Sequence, residues 1–391
     1  MISPEITAFL QERIDAGDFP SAVYLVAEKG EIVFQDALGY AVVEPERIEA
    51  RIDTVYDLAS LTKPLVTGLL SAVLIDRDEL KLGWSVQEYL EEFDSRHAHA
   101  GDKWDIDVKE LLTHRTFLPA WKPFYLLVDD RQSVLKEIVR TPRDFEMLQV
   151  TYSDLNFLTL TFIAERLRGA SLDAIARTEI LGPLGLKNTF FNPEPSFLPE
   201  IAASENGNRY EKNTCLDQGY LTPGEERDSR GNPVATTPGS DLFRDYQIWG
   251  EVHDGNAWFM GGVAGHAGLF STAEETFKIA QQFLPNYTTL LKPDTCELFR
   301  TNFTPGMNEH RSFAFQLAST PESTAGSRMS PEAFGHLGFT GTSLWIDPVK
   351  ERVFILLTNR THAHPLPFTN INSVRRRFHD LANELLDKLS N

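Results

Sequence analysis

The stretch Ser60-Leu-Thr-Lys63-Pro64-Leu-Val-Thr-Gly-Leu-Leu-Ser-Ala-Val-Leu-Ile75 places a serine and a lysine three residues apart at the head of a long apolar run. A serine hydroxyl is a poor nucleophile at neutral pH, so an enzyme that uses one holds a base within hydrogen-bond reach. On a helix, i,i+3 spacing stacks the two side chains on one face. Pro64 is tolerated only in a first helical turn, where backbone N–H groups lack intrahelical partners, so it fixes the helix start close to Ser60. There the positive end of the helix dipole favours negative charge on the serine oxygen and disfavours charge on Lys63. The expectation is a lysine biased toward the neutral amine.

Spacing alone is weak evidence, since Ser133-Val-Leu-Lys136 repeats it. That copy lies among Asp129, Asp130, Arg131 and Glu137 and reads as an ordinary solvated amphipathic helix.

Composition narrows the class. The 391 residues are 42% hydrophobic and 24% charged, the balance of an ordinary globular chain, and no membrane span is expected. A formal net charge of −19 disfavours nucleic acid and anionic lipid surfaces. Cys215 and Cys296 have no metal-type spacing and form no disulfide framework. Met1 to Thr7 carries neither a basic nor an apolar leader region, so a cytoplasmic location is expected.

Hydrophobic periodicity gives the architecture. Residues 4 to 16 carry Ile6, Phe9, Leu10 and Ile14 at helical spacing, and β-rich runs at Ala22 to Val26 and Glu31 to Phe34 flank Lys29-Gly30. Strands return at Ser343 to Asp347 and Arg352 to Thr358, followed by an amphipathic helix from Ile371 to Leu389. Between them the chain is mostly helical or irregular, and residues 206 to 239 read as a long surface insertion or lid. The expected fold class is α+β, an α/β sandwich: one antiparallel sheet built from both chain ends, flanked by helices, with an inserted helical subdomain. The corresponding division is residues 1–80 with 250–391 as a discontinuous sheet domain and 81–249 as the helical part.

Two further constellations carry chemistry. Tyr152-Ser-Asp154, with Asn156 beyond, supplies a tyrosine that serves as general base when a nearby cation lowers its pKa. Gly335-His336-Leu-Gly338-Phe339-Thr-Gly-Thr342 is a glycine-dense strand entry, the signature of close approach by a ligand or another backbone.

In the order Ser-x-x-Lys, Tyr-x-Asp, His-x-Gly, these motifs resemble the serine β-lactamase and penicillin-binding superfamily. They are most similar to its class C branch, with family VIII carboxylesterases, D-aminopeptidases and D-alanyl-D-alanine carboxypeptidases. Supporting motifs are Phe19-Pro-Ser-Ala22, Leu111-Leu-Thr-His114, Gly261 to Ser271 and Ser343-Leu-Trp-Ile-Asp347. The resemblance implies a β-lactamase/transpeptidase-like fold, with Ser60 as acylated nucleophile and Lys63 with Tyr152 as the proton-transfer pair. His336 and Gly338 would lie on the substrate strand, and the N–H groups of Ser60 and Phe339 would form the oxyanion hole. Asp154, Asn156 and Trp121 join the expected substrate-binding residues, with Phe124 and Tyr125 beside Trp121 in an aromatic acyl pocket. No cofactor or metal is expected; His266, His362 and His364 lack helical zinc spacing.

Three departures bear on substrate. His336 stands where the β-lactamases carry lysine, so a permanent cation gives way to a group that titrates near neutrality and strong carboxylate recognition is not expected. Asp154 replaces an asparagine and cannot donate when ionised. Arg115-Thr-Phe117 places bulk where glycine is usual. The resulting expectation is a serine hydrolase, chiefly a carboxylesterase on small or medium acyl esters. The alternatives are a D-amino-acid amidase or peptidase and a β-lactamase or penicillin-binding protein. The expected partner is a small ester or amide substrate, with no membrane or nucleic acid; the oligomeric state is open.

Overall fold

A computed structural model describes residues 1–94, 105–145, 149–221 and 243–389. A seven-stranded sheet runs in the order β3-β2-β1-β9-β8-β7-β6, every neighbouring pair antiparallel. Its strands are β1 (Ser21–Glu28), β2 (Glu31–Val42), β3 (Ile48–Glu49), β6 (Gln316–Leu317), β7 (Phe334–Leu337), β8 (Ser343–Asp347) and β9 (Arg352–Thr358), while β4 (Tyr56–Asp57) and β5 (Phe270–Ser271) form a separate pair. The helices in chain order are α1 (Pro4–Asp15), α2 (Leu69–Asp76), α3 (Val108–Leu112), α4 (Phe124–Leu127), α5 (Arg131–Arg140) and α6 (Asp154–Arg168). They continue as α7 (Leu172–Ala176), α8 (Arg209–Asp217), α9 (Gly255–Phe259), α10 (Ala273–Ala280) and α11 (Asn372–Leu389).

The expected sheet from both chain ends is present. β1 pairs with β9 from Ala22 opposite Thr358 to Glu28 opposite Arg352. Alternation assigns each strand's two faces to different cores: Val23, Leu25, Val353, Ile355, Leu344 and Ile346 pack with the central helices, whereas Tyr24, Val26, Phe354 and Trp345 pack under α1 and α11. An antiparallel sheet usually leaves one face to water. Here both are covered, which is why β8 and β9 read as nearly continuous apolar runs. On α11, Val374, Phe378, Leu381, Ala382 and Leu386 line one stripe against Ile6 and Leu10 of α1.

Ala59–Asp76 is long and apolar enough to cross a membrane, but 83% of it is buried inside the protein, so it is the central core helix. Its winding is irregular. A short 3₁₀ turn, Ala59–Leu61, leads to a π-helical segment, Lys63–Gly68, before the regular α2. Pro64 has no N–H to give to Ser60 four residues earlier, and its ring would crowd that carbonyl in an α-turn; the wider turn relieves the clash.

Within the segment read as an insertion, residues 206–221 contain α8. Residues 222–239, the remainder of the expected lid, lie outside the described residues. Ser133 and Lys136 lie on α5, with Lys136 exposed, as expected for a solvated helix.

Candidate active site

The Ser60 turn is held from several directions. Ala59 adopts φ = +48°, a left-handed conformation unusual for a residue with a side chain and typical of strained functional turns. Asp57 fixes it by accepting from Ala59 N at 2.8 Å with one carboxylate oxygen and from His253 N at 2.7 Å with the other. The turn is also tied to the β7–β8 connection, where Thr340 Oγ1 donates to Asp57 O (2.7 Å) and Thr342 Oγ1 to Leu58 O (3.0 Å). Gly338 is required at this junction: a Cβ there would lie 1.9 Å from Thr342 Oγ1 and 2.6 Å from Leu58 O. The glycine-rich strand entry thus admits another backbone.

Lys63 Nζ donates to Ser60 Oγ at 3.0 Å and to His266 O at 3.1 Å, and pairs with Asp154 Oδ1 at 2.7 Å. The Tyr152 hydroxyl interacts with both Ser60 and Lys63. Burial separates the two Ser-x-x-Lys copies: the Lys63 side chain is 0% exposed, whereas Lys136 is in solvent. The Tyr152-Ser153-Asp154 turn is positioned by His114, whose Nδ1 accepts from Ser153 N at 3.0 Å and whose ring packs 4.7 Å from that of Tyr152. Ser153 Oγ donates to Pro119 O at 2.7 Å.

The electrostatics correct the expected proton inventory. Burial draws the Lys63 pKa down, but Asp154 and Tyr152 outweigh it and the net shift is upward, so the resting lysine is an ammonium. Burial also pushes the Tyr152 phenol up, beyond what the Lys63 charge offsets, so the resting tyrosine is protonated. The helix dipole argument for a neutral lysine fails because it omitted a carboxylate in direct contact.

His336 departs from expectation in the same way. Burial, then Lys63 and Arg311, hold its pKa well below the usual value, so it is neutral across the neutral range. Its Nδ1 faces Leu337 O at 2.9 Å, which fixes the Nδ1–H tautomer and leaves Nε2 as a buried acceptor without a partner among the described residues.

Two cavities meet at Ser60, and Tyr152 and Phe339 also line both. The first, about 300 Å³, is walled by Trp121, Tyr210 and Phe339, with Asp154, Asp254 and Glu211 among its polar groups. The second, about 380 Å³, runs along β7 past His336 and Gly338 and carries Arg360, Arg375 and the Arg311–Glu309 ion pair.

Trp121, His336, Gly338 and Phe339 line these cavities, while other residues expected at the site are placed differently. Asp154 borders the first cavity as the counter-ion of Lys63. Asn156 lines neither cavity; it is fully buried, accepting from Thr116 Oγ1 at 2.6 Å and facing His114 Nδ1 at 3.3 Å. Phe124 is core and Tyr125 bonds Glu211 through its hydroxyl, so Tyr210 supplies the aromatic wall in their place. Phe117, at φ = +60°, turns its ring onto Phe145 and does not line either cavity.

Asp154, Asp254 and His266 bring metal-type donor atoms within 4.8 Å of one another. Their donors are engaged within the protein, Asp154 with the Lys63 ammonium and Asp254 with His266 Nε2 at 2.9 Å. Sequence reasoning missed Asp254 and the three arginines, which lie outside the motifs, and gave His114 no site role although it closes the Leu111-Leu-Thr-His114 motif; only the fold brings them together.

The Beta-lactamase family model matches residues 6–375. A putative D-alanyl-D-alanine carboxypeptidase of Escherichia coli (strain K12) is 30% identical over 383 residues, covering 92% of this chain and 82% of the relative. Among solved structures, a class C beta lactamase from Rhodobacter sphaeroides superposes with a TM-score of 0.69 at 17% identity, covering 98% of this chain and 100% of its own. EstCE1, a hydrolase with promiscuous acyltransferase activity, superposes at 0.68 with 19% identity, covering 97% of each chain. With the match spanning nearly the whole sequence, the chain belongs to the beta-lactamase family as a serine hydrolase of the β-lactamase/transpeptidase fold.

Proposed function

We propose that this hydrolase works through an acyl-enzyme on Ser60 and acts on small acyl donors whose leaving group bears a carboxylate, the D-alanyl-D-alanine terminus being the type. The observation that carries the reading is the pair Arg360 and Arg375 in the second cavity. Among the described residues neither has a carboxylate partner. Burial, then the neighbouring Arg360, push Arg375 down to about 9, and burial lowers Arg360 as well. Two desolvated guanidiniums that repel each other gain from an anion placed between them and the nucleophile. They supply the cation that His336 does not. The curated relatives named as putative D-alanyl-D-alanine carboxypeptidases support the same substrate class.

In the proposed reaction the Ser60 proton passes to the Tyr152–Lys63 pair as Oγ attacks the acyl carbonyl, and is handed on to the departing amine or alkoxide. Water then releases the acyl group by the same route in reverse. The pair must first lose one proton, and both of its pKa values are raised, so turnover rises with pH from neutral into the alkaline range. The first cavity receives the acyl portion against Trp121 and Tyr210.

Neutral His336 and the aromatic first cavity favour a second reading, a carboxylesterase. The two separate on matched substrates: diacetyl-L-lysyl-D-alanyl-D-alanine, its C-terminal amide and a short p-nitrophenyl ester. The carboxypeptidase reading expects kcat/KM for the free acid to exceed that for the amide by about tenfold or more, one lost charge-assisted contact being worth about 1.5–3 kcal/mol. Equal rates for acid and amide beside fast ester hydrolysis overturn it in favour of the esterase.

A further inference from the structure

The acid–base centre does not end at Asp154. His266 meets Lys63 with its backbone, its carbonyl accepting from Nζ at 3.1 Å, while its imidazole turns away to Asp254, Nε2 to Oδ1 at 2.9 Å. The backbone that aims this carbonyl is locked. Gly265 N donates to Thr161 Oγ1 at 2.9 Å and Gly265 O accepts from Thr67 Oγ1 at 2.7 Å, leaving no room for a Cβ, which would lie 2.2 Å from Thr161 Oγ1. Asp254 is locked as well. It caps α9 by accepting from Ala257 N at 2.7 Å, and Oδ1 takes both that bond and the imidazole's. Its carboxylate borders the first cavity, within 4.8 Å of the Asp154 carboxylate that pairs with Lys63.

We propose that Asp254 and His266 are a positioning dyad that sets the proton affinity of Lys63: Asp254 supplies a second carboxylate behind Asp154, and His266 fixes and shares its charge. The inference rests on the acyl-enzyme reading above. Around Lys63 stand the carboxylates of Asp154 and Asp254, the Tyr152 phenol, the neutral imidazoles of His114 and His336, the Arg311 guanidinium and the His266 side chain. Of these, Asp254 and His266 alone are bonded to each other through side chains while one of them also holds Nζ through its backbone. The sequence gives no warning of this, because Asp254 lies outside all the motifs.

The test is the pH profile of kcat/KM on a p-nitrophenyl ester for two variants that keep the His266 carbonyl in place. Asp254→Asn retains a capping side chain but loses the charge, so Lys63 yields its proton more readily and the rising alkaline limb moves to lower pH by about one unit. At fixed pH on that limb the rate rises roughly tenfold relative to its plateau. His266→Leu leaves Asp254 charged without its donor, and the limb moves the other way. Opposite shifts are the expected result. Limbs that stay within about 0.2 units of wild type in both variants, or a uniform loss at every pH with a lowered Tm, overturn the dyad and leave a structural role. If Asp254→Asn does not fold, His266→Leu alone decides by the direction of its shift. Intact-mass detection of the Ser60 acyl adduct in wild type is run alongside: its absence counts against the acyl-enzyme reading, whereas an adduct with unmoved limbs counts against the dyad alone.

Discussion

Lys63 shows how one contact reverses an inference drawn from local sequence. Helix position argues for a neutral amine, but Asp154 at 2.7 Å makes the ammonium the resting form. The folded pKa is raised above the unfolded one, so this pair's contribution to stability is fully present below the unfolded lysine value of about 10.4 and is lost as pH rises through the folded value. In Asp154→Asn, burial becomes the dominant influence and the folded pKa falls below the unfolded one. That variant should lose about 3 kcal/mol near pH 7, with a deficit that narrows as pH climbs toward 10. Urea denaturation at pH 6, 7.5 and 9 measures it, and a deficit that does not change with pH would contradict the assignment. His336 makes the opposite prediction. Since its pKa lies well below 6.5, it contributes no inflection between pH 5.5 and 7.5, and His336→Gln should keep the shape of the kcat/KM profile there. An inflection in that window that vanishes in the variant would show that the histidine titrates after all.

Elements place these residues, and the least regular ones matter most. Ser60 is presented by a strained turn, Lys63 by a π-helical segment and Tyr152 by the loop entering α6. The connection after β7 reaches across to the Ser60 turn through Thr340 and Thr342. Gly338→Ala tests that join. The obstacle is the Leu58 backbone carbonyl, which cannot rotate away, so the variant should be destabilised by about 1–3 kcal/mol. It should also lose about a hundredfold in kcat/KM as the Ser60 turn shifts. Near-native activity would mean that the turn is held by Asp57 and needs no support from the strand. The long strands β8 and β9 coincide with the runs read from sequence because a sheet buried on both faces leaves a continuous apolar signature. The two-residue strands β3 to β6 carry no such signal, and β2 extends eight residues past the run read from sequence because half-exposed positions such as Gln35 and Asp36 can pair in a ladder without being apolar.

At the scale of the molecule, sequence order conveys the fold and the Ser60–Lys63–Tyr152 cluster but not the charge map. Ser60, Lys63 and Tyr152 are legible because each sits in a short motif, and the central sheet because its strands are contiguous. Arg311, Arg360 and Arg375 come from a loop before β6, the end of β9 and the start of α11, and nothing along the chain links them. The expectation of weak carboxylate recognition followed from the one position where a lysine was missing. The fold brings Arg360 and Arg375 to the same cavity by another route, beside Arg311, which is paired with Glu309, and the proposed carboxypeptidase reading departs from that expectation on their account. Ser60 therefore stands between an aromatic cavity bordered by carboxylates and a cavity where Arg360 and Arg375 lie beside the Arg311–Glu309 ion pair, the arrangement on which the proposed carboxylate-bearing leaving group rests. All of this depends on Ser60 forming the acyl-enzyme. The decisive measurement is intact-protein mass spectrometry during turnover of a p-nitrophenyl ester, in wild type and Ser60→Ala, with the adduct mapped by peptide digestion. The account predicts a transient acyl mass on Ser60 in wild type, with neither adduct nor turnover in the folded variant. Substantial turnover by Ser60→Ala, or an adduct on another residue, would contradict it.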